Sequence, residues 1–359
     1  MNWRPTKRKI LLISSRPFEH SGMTQIELDV LTHNAEIIDF GVACGWKYER
    51  EYTEFFENKK IDYFELPPKK HILLYMVEIY RLIKKNRYEK VYIHGNSSMM
   101  ILEALPSKLA GATVITHCHN TKPNHFSFHY YLLKPFFSAL VDHKIACSQK
   151  AAEWAYCGSK TVIKNGIDIK RFSYSANIRN RTRAELGLTD RFVVGHIGTF
   201  NVQKNHIRLI SIFEEILKRE PGAQLLLLGD GELRDSIFQT IHERSLDEHV
   251  TYIGFVDNPE EYLQAMDVFI LPSLFEGFCL VSLEAQVSGL PTIVSNAVSE
   301  VTYATDCCYA LSLEDIDSKW AEKALNCRNQ ARKDRSDVIA AAGFSFENMM
   351  DSIRKVLLV

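Results

Sequence analysis

EGFCLVSLE, residues Glu276 to Glu284, follows closely on the apolar run VFILPS, Val268 to Ser273. The run reads as a buried strand ending at Pro272 and Ser273, then a loop carrying Gly277, then a helix opening near Phe278. A helix that starts just past a strand presents backbone N–H groups with no partner inside the helix, and the aligned peptide dipoles favour an anion there. The outline is that of a phosphate site. Glu276 falls at the mouth of the loop, and Glu284 about two turns further on, roughly 12 Å along the axis at ~1.5 Å per residue. That spacing does not suit the close carboxylate pair of a retaining glycosidase, which stands ~5 Å apart; it suits two contacts to different parts of one long ligand. Spacing alone leaves open a capped amphipathic helix whose glutamates are solvated.

Outward from this segment, short apolar runs alternate with helical stretches. The second half carries FVVGHIG, QLLLLGDG, VTYIGF, VFILPS and PTIVSN; the first carries KILLIS (Lys9 to Ser14), EIIDF (Glu36 to Phe40), KVYIHG (Lys90 to Gly95), TVITHCHN (Thr113 to Asn120) and HKIACS (His143 to Ser148). Repeated βα units predict two parallel sheets with ligand sites at the carboxyl ends of the strands, in an α/β protein of two Rossmann-like domains facing a cleft. At 359 residues the chain is long enough for two domains of ordinary size. The expected boundary follows Phe172, in the polar segment SYSANIRNRTR (Ser173 to Arg183), which lacks apolar helical periodicity. Residues 1–172 form the first expected domain and 173–343 the second. FSFENMMDSIRKVLL (Phe344 to Leu358) reads as an amphipathic helix.

Hydrophobic content of 46% and charge of 24% are those of a globular protein. The basic start MNWRPTKRKILLISS has too short an apolar run for a signal segment or membrane span, so a first strand and a cytoplasmic location are expected. Eight scattered cysteines show no zinc spacing and read as small buried residues, with Cys307 and Cys308 in a strand. The net charge of −1 hides an asymmetry. Residues 1–165 hold 23 Lys and Arg against 16 Asp and Glu, or +7; the remainder holds 20 against 28, or −8. A basic first half points to anionic lipid or a phosphate-bearing acceptor; no nucleic-acid partner is expected.

Four further segments stand around the opening motif: HIGTFNVQKNH (His196 to His206), LLLLGDGE (Leu225 to Glu232), YIGFVDN (Tyr252 to Asn258) and SGLPTIVSN (Ser288 to Asn296). With them the chain resembles the family 4 glycosyltransferases, retaining enzymes of the GT-B fold that use nucleotide sugars, among them bacterial capsular and exopolysaccharide transferases. The resemblance covers nearly the whole sequence, and the NGID segment within Lys160 to Phe172 is similar to that family's hinge signature. It implies that Glu276 contacts donor-sugar hydroxyls, that Glu284 holds the ribose, and that amides of Gly277, Phe278, Cys279 and Leu280 face the diphosphate. Lys204 corresponds to the lysine that neutralises that diphosphate, and Phe255 to a residue of the donor site. The last helix is implied to cross back onto the first domain. One departure stands out: Thr199 follows Gly198 where the family has arginine, so half of the usual cationic clamp is missing.

The same resemblance gives Gly22, in HSGMTQIE (His20 to Glu27), the place of a glycine-rich loop near the reacting centre, although turns favour glycine in any case. It gives His117, in preference to His119, a contact with the donor sugar or the acceptor; a surface histidine is the plain alternative. The nearby His125 and His129 raise the question of a metal, but ligand spacing and carboxylates are lacking, and no metal or other cofactor is expected. Asp315 and Asp317 more simply begin a surface helix than bind a metal. In KKHILLYMVEIYRLIKKNRYEK (Lys69 to Lys90), Leu73, Val77, Tyr80 and Ile83 recur at helical spacing. A core-packed helix is expected, with a membrane-surface helix as the alternative because its ends are basic. The aromatic run from His125 to Phe137 offers a second contact of that kind.

The expected activity is transfer of a sugar from a UDP-sugar to a glycan or lipid-linked acceptor, with retention. The competing reading is a catalytically weak GT-B subunit that binds glycan or stabilises a partner, motivated by Thr199.

Overall fold

The computed structural model describes residues 7–19, 21–120 and 129–359. His20 and His125, singled out above, lie outside them. Two compact units are present: residues 1–165 together with 347–359, and residues 166–346.

The first unit holds a parallel sheet of strands β1 (Arg8–Ser14), β2 (Ile38–Cys44), β3 (Asp62–Glu65), β4 (Lys90–Gly95), β5 (Thr113–Cys118), β6 (His143–Ala146) and β7 (Thr161–Val162), in the order β3-β2-β1-β4-β5-β6-β7. Its central strands are buried on both faces, as helix-covered parallel strands must be, so they read as unbroken apolar runs. The short β3 and the exposed β7 carry no such run. The helix Phe346–Leu358 buries Met349, Met350, Ile353 and Leu357, and Arg354 Nε donates to Asn34 Oδ1 at 3.0 Å, which ties the end of the chain to the helix Gly22–His33 and its cap.

The second unit holds β8 (Val193–Ile197), β9 (Gln224–Leu228), β10 (Val250–Gly254), β11 (Val268–Leu271), β12 (Thr292–Ser295) and β13 (Cys308–Leu311), all parallel, in the order β10-β9-β8-β11-β12-β13. Strand order reverses between β8 and β11, as it does between β1 and β4 in the first unit. Such reversal points open a crevice at the carboxyl ends of the strands, where α/β sheets bind their ligands.

Three expectations change. The segment after Phe172 is not an open linker: a helix runs Ala176–Glu185, capped by Ser175 Oγ, which accepts from Ile178 N. Its anchorage is polar, which is why apolar periodicity did not reveal it. Arg179 and Arg183 both reach the Asp267 carboxylate, and at the end of a neighbouring helix Arg179 also donates to Gln264 O and Met266 O and Arg183 to Ala265 O. The helix of the opening motif begins at Leu280 rather than Phe278. In the helix Ile72–Asn86 the buried stripe is Tyr75, Ile79 and Ile83, whereas Leu73, Val77 and Tyr80 are exposed, Leu73 to 80%. Tyr75 wins the inward face because its hydroxyl donates to the buried Glu103 carboxylate at 2.9 Å. Among the described residues no helix is long and apolar enough to cross a membrane.

Candidate active site

The second unit's reversal point brings together the loops that follow β8 and β11. After β8 the chain passes Gly198, where a Cβ would come 3.0 Å from Lys204 Cε; the missing side chain is what lets the lysine stem lie across the backbone. Asn201 Oδ1 caps the short turn Val202–Lys204 by accepting from Lys204 N at 3.1 Å. Asn205 then takes a left-handed conformation (φ 57°), tolerable for asparagine, and its side-chain amide donates to Pro272 O at 3.1 Å. Leu274 N donates to Gln203 O at 2.8 Å. These bonds stitch the lysine loop to the glutamate loop.

The result is an ion pair: Lys204 Nζ stands 2.7 Å from Glu276 Oε1, with both side chains largely buried. Ser273 Oγ donates to the same oxygen at 3.1 Å. The glutamate loop is held in turn by Glu276 N, which donates to Ala297 O at 3.2 Å. Burial works against the lysine's charge, but Glu276, with Cys279 and Glu284 behind it, outweighs burial and raises its pKa. Lys204 is therefore a fixed cation at neutral pH.

Gly277 and Phe278 are half-buried in the loop, and Phe278 packs its ring on Phe344 at 5.8 Å between centroids. The buried Cys279 is the residue before the helix Leu280–Val287, and the first amides of that helix have no backbone partner inside it. Burial pushes the Cys279 thiol up to about 12, which removes it as a nucleophile. Glu284, one turn into this helix, is half-buried. Burial, opposed by Arg171 and reinforced by Glu260, raises its carboxyl to about 7; Arg171 and Glu260 themselves pair at 2.7 Å. Neither Arg171 nor Glu260 stood out in the sequence.

Thr199 is exposed beside Gly198, and Phe255 is 52% exposed just past β10. The neighbours that raise the Lys204 pKa are Glu276, Cys279 and Glu284, and Arg171 is a second cation acting on Glu284. In the first unit Gly22 is exposed in the first turn of the helix Gly22–His33, whose cap is Ser21. His117 is fully buried in β5, its Nδ1 2.8 Å from the Tyr92 hydroxyl, and His119 is half-buried next to it.

A family model described as "Glycosyl transferases group 1" matches residues 178–306, and one described as "Glycosyltransferase Family 4" matches residues 27–171. The chain belongs to the family 4 glycosyltransferases. This family 4 member is 28% identical over 302 residues to "Putative glycosyltransferase EpsF" of Bacillus subtilis (strain 168), spanning 79% of this chain and 78% of that one. It is 30% identical over 241 residues to the UDP-Gal:alpha-D-GlcNAc-diphosphoundecaprenol alpha-1,3-galactosyltransferase of Escherichia coli, spanning 62% and 61% of the two. The fold is GT-B: the crystal structure of Anabaena Alr3699/HepE in complex with UDP superposes with a TM-score of 0.80 at 20% identity, over 97% of this chain and 99% of that one.

Proposed function

We propose that this family 4 glycosyltransferase moves a sugar from a UDP-sugar to a glycan or lipid-linked acceptor, with retention at the anomeric carbon, in the synthesis of a bacterial surface polysaccharide. The observation that carries the reading is the Lys204–Glu276 pair set beside the start of the helix Leu280–Val287 at a strand-order reversal. The UDP named for the Anabaena structure and the UDP-galactose and diphosphoundecaprenol named for the E. coli relative support the donor and acceptor classes.

In this reading the bond from the anomeric carbon to the β-phosphate oxygen breaks and a bond to the acceptor oxygen forms on the same face. Lys204 and the amides from Gly277 to Leu280 stabilise the departing diphosphate, where negative charge grows. Both protein donors to Glu276 land on Oε1, which leaves Oε2 to orient the sugar hydroxyls. Glu284 accepts from the ribose hydroxyls. A donor phosphate oxygen takes the acceptor proton, so no separate base is needed, and turnover at this site runs without metal. Contact with an anionic membrane surface falls to the helix Ile72–Asn86, whose exposed Leu73, Val77 and Tyr80 are followed by Lys84, Lys85 and Arg87.

Titration with UDP together with hydrolysis of a panel of UDP-sugars tests the reading; failure to bind any uridine nucleotide sinks it. The second reading, a weakly catalytic subunit, draws on exposed Thr199, which stands where the family has arginine. Thr199→Arg separates them. A clear gain in turnover marks an impaired clamp, and a loss marks a site already rebuilt around threonine.

A further inference from the structure

The first unit contains a second group of functional side chains, at its own strand-order reversal. In parallel strands, residues paired across the ladder share a face, as do residues two apart along one strand. His94 pairs with Ser14 on one side and with His117 on the other, Tyr92 lies two residues before His94, and His119 two after His117. All five therefore project from one face at the carboxyl ends of β1, β4 and β5. The helix Gly22–His33 brings Glu27 to the same place. Its Oε1 stands 3.9 Å from His94 Nδ1, and both side chains are fully buried.

The cluster has more polar atoms than partners. His94 Nδ1 and His119 Nε2 share one hydrogen bond at 3.0 Å, and Tyr92 engages His117 Nδ1. His94 Nε2, His117 Nε2, His119 Nδ1 and both Glu27 oxygens have none; Ser14 stands by Glu27 without reaching hydrogen-bond geometry. Buried polar atoms are rarely orphaned in such number, because each costs its desolvation without return. One nitrogen from each of the three rings lies within 4.8 Å of the others. The 3.0 Å between His94 and His119 is close to the ligand-to-ligand edge of a cation that holds imidazoles at about 2.0–2.1 Å. Tyr92 fixes the His117 ring and leaves Nε2 as its free donor, the outer-shell arrangement that metal-bound histidines show.

We propose that His94, His117 and His119 bind one divalent transition-metal ion of the zinc class in the first unit, with the Glu27 carboxylate as the negative charge beside it. Three imidazoles are a donor set of the zinc type, and the buried Glu27 carboxylate, 3.9 Å from His94 Nδ1, offsets the charge of the ion. The ion takes the place of the proton that His94 and His119 share. This gives His117 a task other than the sugar contact implied by resemblance, and it does not depend on the reading of the Lys204 site.

The test uses the full chain, freed of any affinity tag and treated with chelator. Titration with Co²⁺ is expected to give the visible absorption of four-coordinate cobalt, saturating at one ion per chain and displaced by Zn²⁺. His94→Ala and His119→Ala are expected to abolish stoichiometric binding. Tyr92→Phe should weaken it about 10–100-fold, the range for losing an outer-shell partner. His242→Ala, on the surface, should leave it unchanged. Circular dichroism and UDP binding on the same samples report folding and the second unit's site separately. No saturable cobalt spectrum in the wild-type chain, or binding that persists in a folded His117→Ala, His119→Ala double variant, overturns the proposal.

Discussion

Lys204 Nζ lies 2.7 Å from Glu276 Oε1 although 72 residues separate them in sequence. The two meet because β8 and β11, which pair directly through Val194 with Val268 and Gly195 with Phe269, place their following loops side by side. The pair holds a cation and an acceptor in one small volume before any ligand arrives.

Removing the cation should raise the barrier to transfer. Lys204→Ala is expected to slow turnover by about 2–4 kcal/mol, comparable to removing one preorganised donor to a developing anion. Steady-state rates with the preferred UDP-sugar check this, and activity within about twofold of wild type would remove Lys204 from the proposed mechanism.

Glu276→Gln should separate binding from chemistry. The amide keeps the loop's shape but loses the charge beside the sugar, so UDP affinity stays near wild type while transfer falls to a small residue. Calorimetric titration with UDP, alongside initial rates, reads both; a variant that loses UDP binding instead would place Glu276 on the nucleotide.

Glu284 titrates near neutrality, to about 7. The ribose needs its charged, accepting form, so affinity for a UDP-sugar should rise as pH climbs through 7, and Glu284→Gln should flatten that rise. The stability term has the opposite sense. The folded pKa lies above the ordinary 4.5, so the contribution to folding is complete below about 4.5 and is lost as pH approaches 7. Glu284→Ala should also weaken UDP by about 1.5–3 kcal/mol at pH 8, the range for hydrogen bonds to a charged group. An unchanged pH profile in Glu284→Gln contradicts the assignment.

Asp267 supports the helix Ala176–Glu185 through Arg179 and Arg183, and it also accepts from Val193 N at 2.8 Å at the start of β8. Asp267→Ala strands two poorly exposed guanidinium groups. Chemical denaturation should show a loss of about 3–5 kcal/mol, the usual cost of breaking a buried pair from one side. A loss below about 1 kcal/mol would show that the carbonyl contacts alone hold the helix.

Much of this was legible in the sequence, for identifiable reasons. Strands such as KVYIHG and VFILPS are buried on both faces and show as apolar runs, whereas half-exposed β3 and two-residue β7 leave no such trace. Glu276 and Lys204 could be singled out by resemblance, but their contact depends on which strands are neighbours, and β8 and β11 are not consecutive. The same holds for His94. It stands next to last in a strand recognised as such, yet only the β4–β5 register sets it against His117, and that register is invisible along a single chain. Asn201 had a signal, standing three residues before Lys204 as a capping residue does. Arg179 and Arg183 had none, because their partners are backbone carbonyls and the distant Asp267 carboxylate, which only the fold brings to them.

The bond from Arg354 to Asn34 spans 320 residues. During synthesis the ribosome delivers every strand of both sheets before it releases the helix Phe346–Leu358, so the second unit is complete while the first still lacks a buried element. Domains fold largely as they emerge, and here the order of completion is inverted: the part of the chain made first is the part finished last. Removing residues 347–359 would thus injure the first unit and spare the Lys204 loop.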